Sequence, residues 1–228
     1  SYTDALFESV SGITTTGATV ISNLENLSEG ILIWRALLQW FGGIGIIVLA
    51  MAILPTLQIG GMQLLHMEHD DPYEKTIPKV NRFVLELFLL YVSLSMICGI
   101  LYFANGMSGF DSVIHAMTTI STGGFSNYNE SFSYFNSFQI EIVSIIFMIV
   151  GSLPFVLYLQ LIHKQKKSFL KDDQIKLFFL ILFTIVFFTT LWLSKNISEN
   201  TILSFRNAMF NITSILTGTG YTSSNFSN

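Results

Sequence analysis

Three short stretches carry most of the uncharged polar chemistry of an otherwise apolar chain: SGITTTGATV from Ser11, TTISTGGFS from Thr118 and ILTGTGYTS from Ile215. Each combines Thr or Ser with Gly and contains no charged side chain. Uncharged oxygens suit a dehydrated cation that must be held without being trapped. Backbone carbonyls can replace its hydration shell, and threonine hydroxyls can support or extend the same oxygen ladder. Glycine serves where successive carbonyls must turn the same way, because it reaches positive φ cheaply. One such cluster alone reads as ordinary turn chemistry. Three in one register call for a common explanation.

A loop of this kind needs something to aim it. The segments Asp4–Ile13, Asp111–Ile120 and Ser204–Leu216 are mildly amphipathic, too short to cross a bilayer, and each runs directly into a Thr/Ser/Gly stretch. Asp4 and Asp111 suit helix starts, where a carboxylate caps free N–H groups and offsets the dipole. A short helix followed by a polar loop between two spans is a re-entrant pore loop. Non-helical backbone is tolerated at membrane depth where it is protein-buried or lines water. The helix would direct its partly negative C-terminal end toward the membrane centre, where it attracts a cation.

Composition supplies the membrane. Of 228 residues, 51% are hydrophobic and 11% charged, with mean hydropathy +0.57; a soluble domain carries about 25% charged residues. Runs at Ile31–Leu54, Phe83–Ala104, Ile140–Ile162 and Ile175–Ser194 are long enough, or nearly so, to span as helices. Pro154, shortly after Gly151, is expected to kink or interrupt the third. A net charge of −4 without a basic stripe argues against nucleic-acid binding. The single cysteine, Cys98, excludes an internal disulfide and reads as a buried small hydrophobe.

Gly17, Gly123 and Gly220 mark an internal repeat with a period of about one hundred residues. The unit is a spanning helix, a short helix, a Thr/Gly loop and a second spanning helix. Residues 1–54 form a first pore repeat lacking its opening helix, 83–162 a complete second repeat, and 175–228 a third lacking its closing helix. Residues 55–82 and 163–174 are linkers. Both ends fall inside patterned segments, so the chain is expected to be part of a longer protein. Lys75, Lys79 and Arg82, then Lys164, Lys166, Lys167, Lys171 and Lys176, fall in or beside the linkers. The positive-inside rule therefore places both linkers in the cytoplasm and all three loops outside. Ala18–Gly30 and Gly124–Ser137 hold no Lys or Arg, as this topology requires.

At these residues the chain resembles the TrkH/TrkG/KtrB family of bacterial potassium-uptake proteins. The resemblance rests on WRALLQWFGGIGIIVLAMAILPTLQIGGMQLLHME from Trp34 to Glu68, directly after TTTGAT, and on STGGFSNYN and TGTGYTSSNF. It covers essentially the whole chain and is nearer the TrkH branch. It implies an all-α polytopic membrane protein built of helix–pore helix–filter loop–helix units, as in potassium channels, in the bacterial inner membrane. One filter glycine per repeat is implied: Gly17, Gly123 and Gly220. The implied potassium site comprises Thr15, Thr16, Gly17 and Ala18, then Ser121, Thr122, Gly123 and Gly124, then Gly218, Thr219, Gly220 and Tyr221, mainly through backbone carbonyls. The fourth wall, an intramembrane gating loop and a gating arginine of the family are expected beyond Asn228, so this chain alone is not expected to conduct selectively. The resemblance also implies a homodimer in lipid and a TrkA-like cytoplasmic nucleotide-binding ring as partner.

Other polar residues read more plainly. Arg35 reads as a snorkelling interfacial arginine, and Trp34 and Trp192 as interfacial anchors. Gly42, Gly43 and Gly45 read as a close helix-packing patch. His115 reads as a hydrogen-bonded packing residue. Glu86 and Glu141 lie close to expected helix ends, where water can solvate them. His66, Glu68, His69, Asp70 and Asp71 read as a solvated linker face, and Asn211 as a sequon of compositional origin. No nucleophile–base pair or metal-ligand set stands out in the spans, so neither an enzyme nor a cofactor is expected; potassium is the transported ligand. The alternative is an ion-coupled secondary cation transporter with broken helices, a class whose repeats are often inverted, whereas these run in one orientation.

Overall fold

The computed structural model describes residues 1–57, 76–162, 172–196 and 200–224. Among these the chain is all-α: α1 (Tyr2–Ile13), α2 (Glu29–Leu57), α3 (Thr76–Ala104), α4 (Gly109–Ile120), α5 (Phe138–Ser152), α6 (Phe155–Ile162), α7 (Asp173–Asn196) and α8 (Thr201–Leu216). Single 3-10 turns occupy Leu24–Asn26 and Ser131–Phe135. The residues 66–71 that read as a linker face lie outside the described segments.

The three short helices begin on side-chain caps. Ser1 accepts from the Asp4 N–H and completes a capping box, Ser108 accepts from the Asp111 N–H, and Asn200 accepts from the Ile202 N–H. Each cap satisfies one of the free N–H groups that a helix start leaves over. The last of the three helices starts a little earlier than the expected Ser204.

Two of the long helices are long and apolar enough to cross a membrane. Val84–Ala104 and Asp173–Asn196 combine spanning length with mean hydropathy of 2.3 and 2.4, and most of each window lies on the outside of the fold. Helix α2 has 29 residues, which at about 1.5 Å per residue exceeds the hydrocarbon core. The third expected span is broken where Pro154 stands. Leu153 is extended (φ −77, ψ 149) because the proline ring disfavours helix at the residue before it. Proline also lacks the N–H that Val150 would receive, and the Tyr158 hydroxyl donates to the Val150 carbonyl instead, at 2.8 Å.

Helix α4 sits at the centre, packed against α2, α3 and α5, while α1 packs on α2, and α8 on α7 and α5. The core around it joins Cys98, Tyr102, Phe132, Met148, Phe210 and Tyr221, all buried. Two glycines let long helices close on the ends of short ones. A Cβ at Gly42 would run into the carbonyl of Ile13, the last residue of α1. A Cβ at Gly151 would lie 2.7 Å from the carbonyl of Ile120, the last residue of α4. In both places the following long helix is thus seated on the end of the short helix before it.

Candidate ion filter

Each short helix ends the same way. The cap residues Thr14, Ser121 and Thr217 are followed by Thr15, Thr122 and Gly218 in the left-handed region, at φ 55, 50 and 76. One residue intervenes, and then Gly17, Gly124 and Gly220 return to positive φ at 78, 76 and 85. The loop amides fold back onto the helix ends: Thr16 N–H donates to Ser11 O and Gly123 N–H to Thr118 O, both at 2.9 Å, while Gly124 and Gly220 reach Thr118 O and Ser214 O at 3.3 Å. This satisfies carbonyls that a helix end leaves free, in the manner of a Schellman cap.

The register corrects one expectation. Gly124, not Gly123, shares its place with Gly17 and Gly220. Gly123 stands where Thr16 and Thr219 stand, and it does not take a positive φ. Ser121, grouped above with the loop oxygens, is the helix cap and matches Thr14 and Thr217. Left-handed backbone is strained for a β-branched residue, so Thr15 and Thr122 hold a conformation that the third loop assigns to Gly218.

The three loops meet. A Cβ at Gly17 would run into the Gly123 carbonyl, with the Thr219 carbonyl 3.6 Å away. A Cβ at Gly124 would run into the Thr219 carbonyl. Residues from three distant parts of the chain therefore share one centre, in the order first, second, third. The next residue points back into the preceding repeat wherever it is aromatic. Phe125 lies under the Arg35 guanidinium, 4.1 Å from ring centre to Cζ. Tyr221 places its hydroxyl 2.5 Å from Thr118 Oγ1 and 3.3 Å from Thr119 Oγ1.

Behind each loop stands a polar side chain at one register of its short helix: Glu8, His115 and Asn211. Glu8 Oε1 accepts from the Thr19 hydroxyl at 2.6 Å and the Val20 N–H at 2.7 Å. His115 Nδ1 lies 2.9 Å from the Asp111 carbonyl, which can only accept, so Nε2 of the neutral ring accepts from the Ser126 hydroxyl at 3.1 Å. Asn211 donates to Ser223 Oγ at 3.0 Å and accepts from the Ser223 N–H at 3.2 Å. All three tie the helix to the returning limb of its own loop. Asp111 does the same one turn earlier, accepting from Asn127 at 2.8 Å and from the Tyr128 hydroxyl at 3.0 Å. Burial, followed by hydrogen bonding to Tyr134 and Asp111, pushes the Tyr128 phenol well above its ordinary range, which keeps it a donor.

Two ionic contacts revise the plainer readings. Arg35 does not snorkel; it is buried, with Nε 3.2 Å from Glu8 Oε2, Nη1 donating to the Ser126 carbonyl and Nη2 to Thr19. It therefore holds the first two loops together. Glu141 is likewise buried and receives both arms of Arg206, at 2.7 and 2.8 Å, linking α5 to α8. Glu86 is paired with Arg82 at 3.0 Å within α3. Gln39, Glu8 and Arg206 carry structural weight that sequence reasoning passed over. A signal existed for Gln39 and Arg35: they are polar residues four apart, hence on one face, in an otherwise apolar helix.

The loops thus offer carbonyl and hydroxyl oxygens with no net charge, while Glu8 and Glu141 beside them are each paired with an arginine and Asp111 is held by neutral donors. Among the described residues no group of three or more His, Cys, Asp or Glu could hold a metal ion. Such an arrangement suits a weakly held monovalent cation better than a resident one.

Residues 1–228 match the TrkH family, described as cation transport protein. The Trk system potassium uptake protein TrkI of Halomonas elongata is 40% identical over 230 residues, covering 100% of this chain and 46% of its own length. TrkH of Escherichia coli is 39% identical over 224 residues, covering 96% of this chain and 46% of its own. The fold superposes on the crystal structure of the potassium transporter TrkH from Vibrio parahaemolyticus with a TM-score of 0.86 and 37% identity, over 98% of this chain and 46% of that one. The chain spans about half the length of the curated relatives it matches.

Proposed function

The chain belongs to the TrkH family of membrane cation transport proteins, and on that premise we propose that it supplies three walls of a potassium-selective pore. The observation that carries the reading is the packing of Gly17 and Gly124 against the carbonyls of Gly123 and Thr219. Carbonyl oxygens of the second and third loops meet Gly17 of the first at the C-terminal ends of α1, α4 and α8. Those ends are partly negative and favour a cation, and a ring of carbonyls replaces the water of a dehydrated potassium ion. The ion moves by permeation, with no chemistry on a substrate and no cofactor in this chain.

The basic linkers face the cytoplasm and the loops face outward in the bacterial inner membrane. The resemblance extends the reading to a homodimer served by a TrkA-like nucleotide-binding ring. A coupled secondary transporter is the weaker reading, because all three loops repeat one cap position and one φ pattern.

A chimera tests it, with this chain replacing the matching residues of Escherichia coli TrkH in a bacterium lacking its own potassium uptake. Rubidium-tracer uptake that sodium competes with poorly is the expected result, and the chain by itself is expected to give none. Uptake that does not distinguish rubidium from sodium would remove the filter. A chimera that reaches the membrane and transports neither ion would overturn the transport reading itself.

A further inference from the structure

The second loop differs from the other two at one position, and the difference has a partner. In the first loop the Thr16 hydroxyl lies 2.8 Å from that of Thr14, and in the third the Thr219 hydroxyl lies 2.8 Å from that of Thr217. Each pair braces its loop against its own helix cap. The second loop has Ser121 and Gly123 at these places, and Ser121 donates instead to the Thr118 carbonyl. Its brace comes from elsewhere. Gln39, a fully buried residue of α2 in the first repeat, donates from Nε2 to the Gly123 carbonyl at 2.6 Å and accepts from the Phe125 N–H at 3.0 Å. One amide therefore grips the backbone on both sides of Gly124.

Gly123 is glycine for the same reason. Its φ does not require one, but a Cβ there would collide with the Gln39 amide carbon and both its polar atoms. The Gly123 carbonyl that Gln39 holds is also the one seated against Gly17.

We propose that Gln39 and Gly123 act as one unit, in which a side chain of the first repeat positions the second filter wall and sets its cation preference. Gln39 is a positioning residue: it touches the filter backbone rather than the ion. The proposal rests on the filter reading above, and it also predicts a purely structural coupling that does not depend on transport.

The test uses the same chimera. Gln39→Met keeps the length and apolar volume of the side chain and removes both hydrogen bonds. Rubidium-over-sodium preference should fall at least about tenfold, the equivalent of one of these two buried hydrogen bonds left unmade. A residue that merely filled space would leave that ratio unmoved, and an unmoved ratio overturns the proposal. Gly123→Thr alone should abolish uptake, whereas Gly123→Thr combined with Gln39→Ala should restore rubidium uptake to within about threefold of the parent, because space is cleared and a threonine brace becomes available. No rescue by the second substitution overturns it equally. Thermal melting of the same purified proteins separates the two readings. Should the parent chimera fail to transport, the function falls, but melting still decides the pairing: Gly123→Thr lowers the melting temperature, and Gln39→Ala must recover part of that loss.

Discussion

A buried charge is sensitive to what is taken away from beside it. Arg35 holds Glu8, the Ser126 carbonyl and Thr19 at once, and Glu8 Oε1 holds the Thr19 hydroxyl and the Val20 amide. Replacing Arg35 with Met leaves the Glu8 carboxylate buried without its counter-charge, a situation that costs about 3–5 kcal/mol. The double variant Arg35→Met with Glu8→Gln should lose less than Arg35→Met alone, because the amide keeps an acceptor for Thr19 and Val20 and carries no charge. Melting temperatures of the three proteins decide this, and a double variant less stable than Arg35→Met would show that the charge is not what matters. Residues of this kind were poorly legible in the sequence. Arg35 is visibly polar in an apolar run, but its partner sits in a different element, and no local pattern distinguishes a clamped arginine from a snorkelling one. The glycine register was more nearly legible. The aromatic residues Phe125 and Tyr221 directly follow Gly124 and Gly220, and matching them selects Gly124 over Gly123 without any coordinates.

At the scale of elements the sequence speaks more directly, because caps, breaks and hydropathy are local. Asp4 and Asp111 announce two helix starts, Pro154 announces the break after α5, and the apolar runs announce the long helices. What could not be read is which glycine serves which contact. GGIG in α2 indicates close packing in general, but only the fold shows Gly42 lying on the end of α1 and Gly151 lying on the end of α4. The two contacts are the same device used twice, and they set how closely the long helices approach the Thr/Gly loops. Gly151→Ala places a methyl group 2.7 Å from the Ile120 carbonyl, so α5 must move off α4. The loss expected from forcing atoms into a packed contact is about 1–3 kcal/mol. Gly109→Ala, in the first turn of α4, meets no atom within 4 Å and should be neutral or stabilising by a few tenths of a kcal/mol, since it only narrows the unfolded ensemble. Equal melting shifts for the two alanines would refute the seat.

The whole molecule is held in chain order: first repeat to second through Arg35, Gln39 and the Glu25–Asn129 contacts at 2.8 and 2.9 Å, second to third through Tyr221, Glu141–Arg206 and the Ser131–Thr222 contact. The segments joining loops to long helices on the filter side carry Glu25, Glu29 and Glu130 but no Lys or Arg between Ala18 and Gly30 or between Gly124 and Ser137. An acidic approach would concentrate cations at the mouth of the proposed pore, and the positive-inside rule assigns basic linkers to the cytoplasm, so charge predicts one orientation for it. Labelling with a membrane-impermeant maleimide measures it. In a Cys98→Ala background, Glu130→Cys should react from outside intact cells, because Glu130 is exposed on the filter side. Gln165→Cys, in the second basic linker, should react only after the cells are opened. The opposite pattern would invert the pore and separate the charge argument from the filter. Labelling of both positions from outside would mean that the number of crossings between them is even, which α5 and α6 can produce only if the break at Pro154 turns the chain back toward the side it entered from.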